Sequence, residues 1–296
     1  MTPTGPSHYQ AALRAACTAA ALDSRDAAVL HIRANAVYYL PHENVAARIR
    51  YAPTGRGAIL ERATAAVEVT RWLRQENFPA TEPLDIDQPI VLPEHVATFW
   101  QYVTATSDDW RDTATLGRVI RALHQLPPCP ATIPAAKPLG SLRADLESST
   151  AVPAEAREWL LTRAGELEGR YQHSSSELGT GLVHGDAHTG NLLPAPHGVL
   201  LGDWDSVSYG PRELDLIPTS LGYRFGRPQS EWQAFCAAYG IDPSKLPSLD
   251  LLQQLRELRA LAAYVRNADI PSFRKELVKR ITGLRNRDQA TRWQAL

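Results

Sequence analysis

Leu182-Val-His-Gly-Asp-Ala-His-Thr-Gly-Asn-Leu-Leu193, followed by Leu200-Leu-Gly-Asp-Trp-Asp205, is the stretch on which the reading of the fold turns. Asp186 stands five residues before Asn191, and Asp203 stands twelve residues after it. Two carboxylates and an amide at this spacing form an oxygen donor set. One carboxylate can orient a hydroxyl and accept its proton, and the other two groups can hold a hard divalent cation against phosphate oxygens. Leu192-Leu193 and Val199-Leu200-Leu201 flank Pro194-Ala-Pro-His-Gly198. A hairpin centred near His197 would set Asn191 opposite Asp203, about 4.5–5.5 Å apart at Cα. Asp186, on the loop feeding that hairpin, would point at the same spot.

Outward from this stretch, residues 8–22 read as an amphipathic helix. Residues 36–40 and 45–50 read as strands by their β-branched and aromatic content, with Pro41-His-Glu-Asn44 as the turn between them. Residues 61–76 carry Ala66, Val69, Trp72 and Leu73 near helical spacing. Pro89-Ile-Val-Leu92 and Val96-Ala-Thr-Phe-Trp-Gln-Tyr-Val103 predict a second hairpin around Pro93. Helices are predicted over 110–125, 154–172, 230–239, 249–267 and 271–287, and strand with loop from about 180 to 217. No internal repeat occurs. The order predicts an α+β fold: a small antiparallel part followed by a mainly helical part, with a short crossing near residues 101–106.

Composition narrows the class. The 296 residues are 44% apolar, enough for a sizeable core, and the formal net charge of −1 gives no basic face for nucleic acid. Cys17, Cys129 and Cys236 are far apart and show no C-x-x-C spacing, which argues against a disulfide framework or a zinc site. No apolar run reaches membrane length, and Arg14 falls inside the Ala-rich N-terminal stretch rather than before it. A soluble cytoplasmic protein is expected, with no membrane or nucleic-acid partner. No G-x-x-x-x-G-K-[ST] occurs, which excludes a P-loop kinase. The only lysines are Lys137, Lys245, Lys275 and Lys279.

The whole pattern resembles the aminoglycoside phosphotransferase family, small-molecule kinases that share their fold with protein kinases. The family's H-G-D-x-H-x-x-N is matched by His184, Gly185, Asp186, His188 and Asn191, and its I-D-W-[DE] by Gly202-Asp203-Trp204-Asp205, with Gly in the first place. A later Pro-x-x-x-Asp-Leu is matched by Pro211, Asp215 and Leu216. The resemblance implies a bilobal protein-kinase-like fold, with a nucleotide-covering lobe over residues 1–100 and a helical lobe over 101–296 that carries the catalytic loop and substrate site. It implies transfer of the γ-phosphoryl group of ATP or GTP to the hydroxyl of a small molecule. Asp186 is then the base, Asn191 and Asp203 are the Mg²⁺ ligands, and Asp215 braces the catalytic loop. Asn35-Ala-Val-Tyr resembles the hairpin that covers the nucleotide, Glu68 sits at the helix glutamate, and Gln101, Tyr102 and Val103 belong to the hinge strand. Two departures stand out. His31-Ile-Arg-Ala-Asn-Ala36 lacks the Gly-rich loop, and Arg48 holds the place of the phosphate-binding lysine, with no lysine before Lys137 to replace it. Arginine stays charged and grips phosphate bidentately, so Arg48 is expected to pair with Glu68 and touch the phosphates.

Other readings use the same residues. A kinase-fold protein that binds nucleotide without catalysis would carry the same motifs. In H-x-D-x-H, His188 could join Asp186 on a metal, the pattern of a metal-dependent hydrolase, although Asn191 and Asp203 suit the kinase scheme better. Asp205 reads as a group behind the ligands or as a loop cap. Family members include enzymes of antibiotic resistance, but residues 250–296 hold ten Arg and Lys against five acids. That excess favours a neutral, zwitterionic or anionic acceptor over a polycationic aminoglycoside.

Overall fold

Alternation along two strands builds the first sheet. The computed structural model describes residues 6–32, 35–53, 56–104, 112–196 and 198–295. His197, residues 105–106 of the expected crossing and the first residues of the helix expected at 110 lie outside them, as do Arg33 and Ala34. Strands β1 (Ala28–Ile32), β2 (Ala36–Leu40), β3 (Val45–Tyr51), β4 (Ile90–Val91) and β5 (His95–Gln101) form one antiparallel sheet in the order β1-β2-β3-β5-β4. Ala36, Tyr38, Leu40, Val45, Ala47 and Ile49 are buried, and they share a core with Leu13, Ala16 and Cys17 of helix α1 (Pro6–Ala19). The period of two therefore turns Ala46, Arg48 and Arg50 to the opposite face. Helix α2 (Arg56–Gln75) buries Val67, Val69, Trp72 and Leu73. It starts five residues before the predicted 61.

The remaining helices are α3 (Thr113–Gln125), α4 (Gly140–Ser148), α5 (Ala154–Gln172), α6 (Ile217–Ser220), α7 (Gln229–Tyr239), α8 (Leu249–Arg259), α9 (Ala262–Arg266) and α10 (Pro271–Arg285). The predicted helix over 249–267 is two helices, because ψ flattens to −10° at Ala260 and −19° at Leu261 and tightens the turn. Leu258, Leu261 and Val265 stay buried across the break, in a leucine-rich core with Leu142, Leu146, Leu160 and Leu167 of α4 and α5. Among the short strands, β6 (Thr180–Val183) pairs with β9 (Ser208–Pro211), and β7 (Leu192–Ala195) pairs with β8 (Gly198–Leu201).

The chain divides into two compact units. One comprises residues 1–111, 125–134 and 190–208, and so includes the β7–β8 hairpin. The other comprises residues 112–124, 135–189 and 209–296.

Candidate active site

In the first unit the β7–β8 hairpin presents Asn191 and Asp203. Its register pairs Leu192 with Leu201 and Ala195 with Gly198, and the Gly202 N–H donates to the Asn191 carbonyl at 2.8 Å. Asn191 therefore stands opposite Gly202, one residue from the predicted Asp203. The reason is the register, which centres the hairpin half a residue earlier than the prediction. Gly198 closes it at a φ of +135°, a conformation closed to most side chains. Asp203 then leaves the ladder in the left-handed region (φ 59°, ψ 61°). Asn191 and Asp203 nevertheless line one cavity of about 300 Å³, together with Arg48, Gln101, Tyr102 and Val103. Leu30, Val37, Ala46 and Trp100 supply its apolar wall. Small-molecule sites begin at about this volume.

Arg48 reaches the cavity from the face of β3 opposite α1. Its Nη2 donates to Asp203 Oδ1 at 2.9 Å and lies 2.8 Å from Asp205 Oδ2. Asp205 Oδ2 also accepts from Asn35 Nδ2 at 3.1 Å and from Arg50 Nη1 at 3.2 Å. Burial opposes the Arg48 charge, but Asp205 and Asp203 outweigh it and hold the guanidinium above its ordinary value. The expected Arg48–Glu68 pair is not formed. Glu68 is exposed on α2, and the α2 residues beside Arg48, Arg50 and Asp205 at a second small cavity are the apolar Ile59 and Ala63. Asn35 belongs to that second cavity rather than to the larger one.

In the second unit, β6 delivers the loop His184-Gly185-Asp186. Asp215, fully buried, accepts the His184 N–H at 2.8 Å on Oδ2 and the Gly185 N–H at 2.6 Å on Oδ1. His124 Nε2 of α3 lies 3.1 Å from Asp215 Oδ2, and its Nδ1 lies 2.8 Å from the Tyr239 hydroxyl. The Asp186 N–H donates to His184 Nδ1 at 3.3 Å. Asp186 itself receives Arg256 Nη2 on Oδ1 at 2.5 Å, and His188 Nε2 lies 3.9 Å from its Oδ2. Arg259 Nη1 donates to the Gly185 carbonyl at 2.8 Å. Burial works against ionisation of Asp186, yet the charges of Arg256, Arg259 and His188 prevail and hold its carboxyl well below the usual carboxylate range.

Sequence reasoning brought Arg48, Gln101, Tyr102, Val103, Asn191 and Asp203 to one cavity, and Asp186 to a braced loop. It missed the buried contacts of His124, the sharing of Asp205 by two arginines, and Arg256 beside Asp186. One signal could have found it: Arg256 and Arg259 stand three residues apart on an apolar-faced helix, a spacing that puts them on a common side. The donor chemistry of Asn191 and Asp203 suits magnesium: an amide oxygen and a carboxylate, both hard, on one cavity wall. Among the described residues no three His, Cys, Asp or Glu side chains gather as a metal cluster. A cation there would take its remaining ligands from phosphate and water, as magnesium commonly does. Among the same residues no helix is long and apolar enough to cross a membrane.

Residues 28–258 match the family described as the phosphotransferase enzyme family (APH). No curated protein matches the chain. Several solved structures are similar over nearly its whole length. Amicoumacin kinase hAmiN, in complex with AMP-PNP, Ca²⁺ and Ami, aligns with a TM-score of 0.74 at 16% identity, covering 96% of this chain and 95% of its own. The microcompartment-associated aminopropanol kinase aligns at 0.69 with 17% identity, covering 97% and 99%. Aminoglycoside phosphotransferase APH(3'')-Id from Streptomyces rimosus aligns at 0.61 with 20% identity, covering 86% and 98%. At these identities the likeness is one of fold.

Proposed function

The chain belongs to the phosphotransferase enzyme family, and from that premise we propose that it is a kinase that moves the γ-phosphoryl group of ATP, or of GTP, to a hydroxyl of a small molecule. Asp186 orients the hydroxyl and accepts its proton, and Asn191 and Asp203 hold Mg²⁺. The observation that carries this reading is the meeting of Arg48, Asn191 and Asp203 with Gln101, Tyr102 and Val103 around one cavity.

The chemistry asks little covalent work of the protein. The acceptor oxygen attacks the γ-phosphorus, the bond from that phosphorus to the β-phosphate bridging oxygen breaks, and the hydroxyl proton passes to the Asp186 carboxylate. Positioning and charge neutralisation supply most of the rate. Bound magnesium would neutralise phosphate charge and fix the phosphates' orientation. Arg48 answers for the family lysine: Asp203 and Asp205 hold its Nη2, and the side chain lines the cavity in which the phosphates would lie. At the hinge, the N–H groups of Gln101 and Tyr102 are taken by the carbonyls of Glu82 and Asn44. The hydrogen bond donated to the base edge therefore falls to the Val103 N–H. The Asp215 brace keeps the backbone of His184 and Gly185 fixed, and with it the start of the Asp186 side chain. A cytoplasmic setting belongs to the same reading, because the donor is a nucleoside triphosphate.

Calorimetric titration of ATP tests the metal assignment. Magnesium should tighten ATP binding at least tenfold in the parent protein, and Asp203→Ala should lose that gain. An equal gain in both proteins would remove Asp203 from the metal.

A further inference from the structure

The guanidinium at the larger cavity has a carboxylate of its own. Arg48 reaches from β3 to two acids, and its Nη2 lies 2.9 Å from Asp203 Oδ1 and 2.8 Å from Asp205 Oδ2. The two acids differ in what else they do. In the kinase reading Asp203 also holds the divalent cation, whereas Asp205 has no such duty. Asp205 Oδ2 is fixed instead by Asn35 Nδ2 at 3.1 Å and by Arg50 Nη1 at 3.2 Å. Its backbone is fixed as well. Asp205 sits in the 3₁₀ turn Trp204–Ser206, which the Val207 N–H closes on the Trp204 carbonyl at 3.1 Å. The Trp204 ring is buried, donates from Nε1 to the Leu201 carbonyl at 2.9 Å and meets Phe78 edge to face at 6.2 Å. All these residues belong to the first unit.

Helix α2, in the same unit, brings no carboxylate to Arg48. It turns Ile59 and Ala63 to the small cavity that Asn35, Arg48, Arg50 and Asp205 share. Glu68 follows Ala63 by five residues. At 3.6 residues per turn that spacing puts it about 140° round the helix, and Glu68 is exposed.

We propose that Asp205 is the positioning residue of the nucleotide site: it holds the Arg48 guanidinium at the cavity, the part the sequence assigns to Glu68, and it does so without ligating the metal. The inference deepens the kinase reading and rests on it. The physical reason is competition for Asp203. A carboxylate shared between a guanidinium and a divalent cation holds the guanidinium less firmly, because part of its charge is already neutralised. Asp205 keeps its hold on Nη2 whether or not Asp203 is occupied. Arg50 and Asn35 hold the Asp205 carboxylate in turn, so its place does not depend on the nucleotide. Arg48 is thus ordered before the phosphates arrive, which spares binding the cost of immobilising a long side chain.

Calorimetric titration of ATP into the full chain, with and without Mg²⁺, tests this. Asp205→Asn should weaken ATP binding about tenfold or more, the size of one lost charge-assisted hydrogen bond. It should leave the tightening by Mg²⁺ as large as in the parent. Asp205→Glu should recover part of the affinity, and Glu68→Gln should bind ATP like the parent. The decisive comparison is a double-mutant cycle. Arg48→Ala should weaken ATP binding about tenfold in the parent and far less in Asp205→Asn, because a guanidinium that is no longer held contributes little. Should Asp205→Asn fail to fold, the cycle is read in Asp205→Glu, with the same coupling expected at smaller size. Losses that simply add overturn the inference, as does an Asp205→Asn protein that binds ATP like the parent. Loss of the Mg²⁺ effect in Asp205→Asn overturns it by moving the residue to the metal. A weakening by Glu68→Gln that is coupled to Arg48 overturns it by returning the part to α2. Each of these results leaves the kinase reading standing. A parent protein that binds no ATP overturns that reading, and this inference with it.

Discussion

Arg48 stands where the family carries lysine, and its neighbours show what the exchange does. A guanidinium presents several donors in a fixed fork, so its Nη2 can stay with Asp203 and Asp205 while the side chain still lines the cavity. The compact ammonium of lysine cannot span that arrangement as well. Arg48→Ala removes a charge-assisted hydrogen bond, a change worth about 1.5–3 kcal/mol. The KM for nucleotide should therefore rise roughly tenfold or more, and Arg48→Lys should recover part of the loss. Steady-state kinetics in ATP decides this, and an unchanged KM in Arg48→Ala would take the residue out of the nucleotide site. Residues close in sequence were the legible ones: Asp186, Asn191 and Asp203 belong to one motif whose spacing carries their chemistry. The partners of Arg48 were not legible, because Asp203 lies 155 residues further along the chain. Glu68 misled for a related reason, since a glutamate on an amphipathic helix looks the same in sequence whether it faces an arginine or water.

Two contacts between elements shape the second unit. The first is the approach of α3 to α7 at Gly117, where a Cβ would come within 2.6 Å of the Phe235 carbonyl and 3.1 Å of Ala238 Cβ. Gly117→Ala cannot be absorbed by a flexible side chain, because the obstacle is backbone. Overpacking of this kind costs about 1–3 kcal/mol, and urea unfolding should show the loss. Stability equal to the parent would mean that the two helices pack less closely than described. The second is Asp215, which ties His124 of α3 to the loop after β6. Asp215→Ala strands two buried N–H groups and a buried histidine. It should cost about 1–3 kcal/mol or more, the range for leaving a buried hydrogen-bonding group without its partner, and activity should fall with it. A loss under 1 kcal/mol in the same assay would deny the brace. At this scale the strongly periodic helices were legible, α5 at both ends and α7 and α10 within two residues. α4 escaped because it has two turns and buries only Leu142, Asp145 and Leu146. β1 escaped because all five of its residues are exposed, which leaves no alternation to read.

Across the whole molecule, chain order and spatial grouping diverge. A sheet-rich part followed by a helical part was readable, but residues 125–134 and 190–208 join the first unit across long gaps in sequence, and no local pattern announces that. The charge count over residues 250–296 was read as an excess of five positive charges. The structure divides that excess by purpose. Arg280 is buried against Glu276 and lies over the rings of Tyr264 and Trp293, at 3.9 and 4.5 Å from their centroids. It is part of the packing, whereas Arg256 and Arg259 serve the Asp186 loop. The central claim is that this chain joins a phosphoryl group to a hydroxyl oxygen through Asp186. The most direct test is phosphorus NMR of a reaction holding the protein, ATP, Mg²⁺ and a panel of hydroxylated small molecules. The account predicts a new phosphate monoester resonance coupled to carbinol protons, and a rate of ester formation lowered about 10²–10⁴-fold in Asp186→Asn, the span of a lost general base. Free inorganic phosphate as the only product, or an ester formed equally fast by Asp186→Asn, would contradict it.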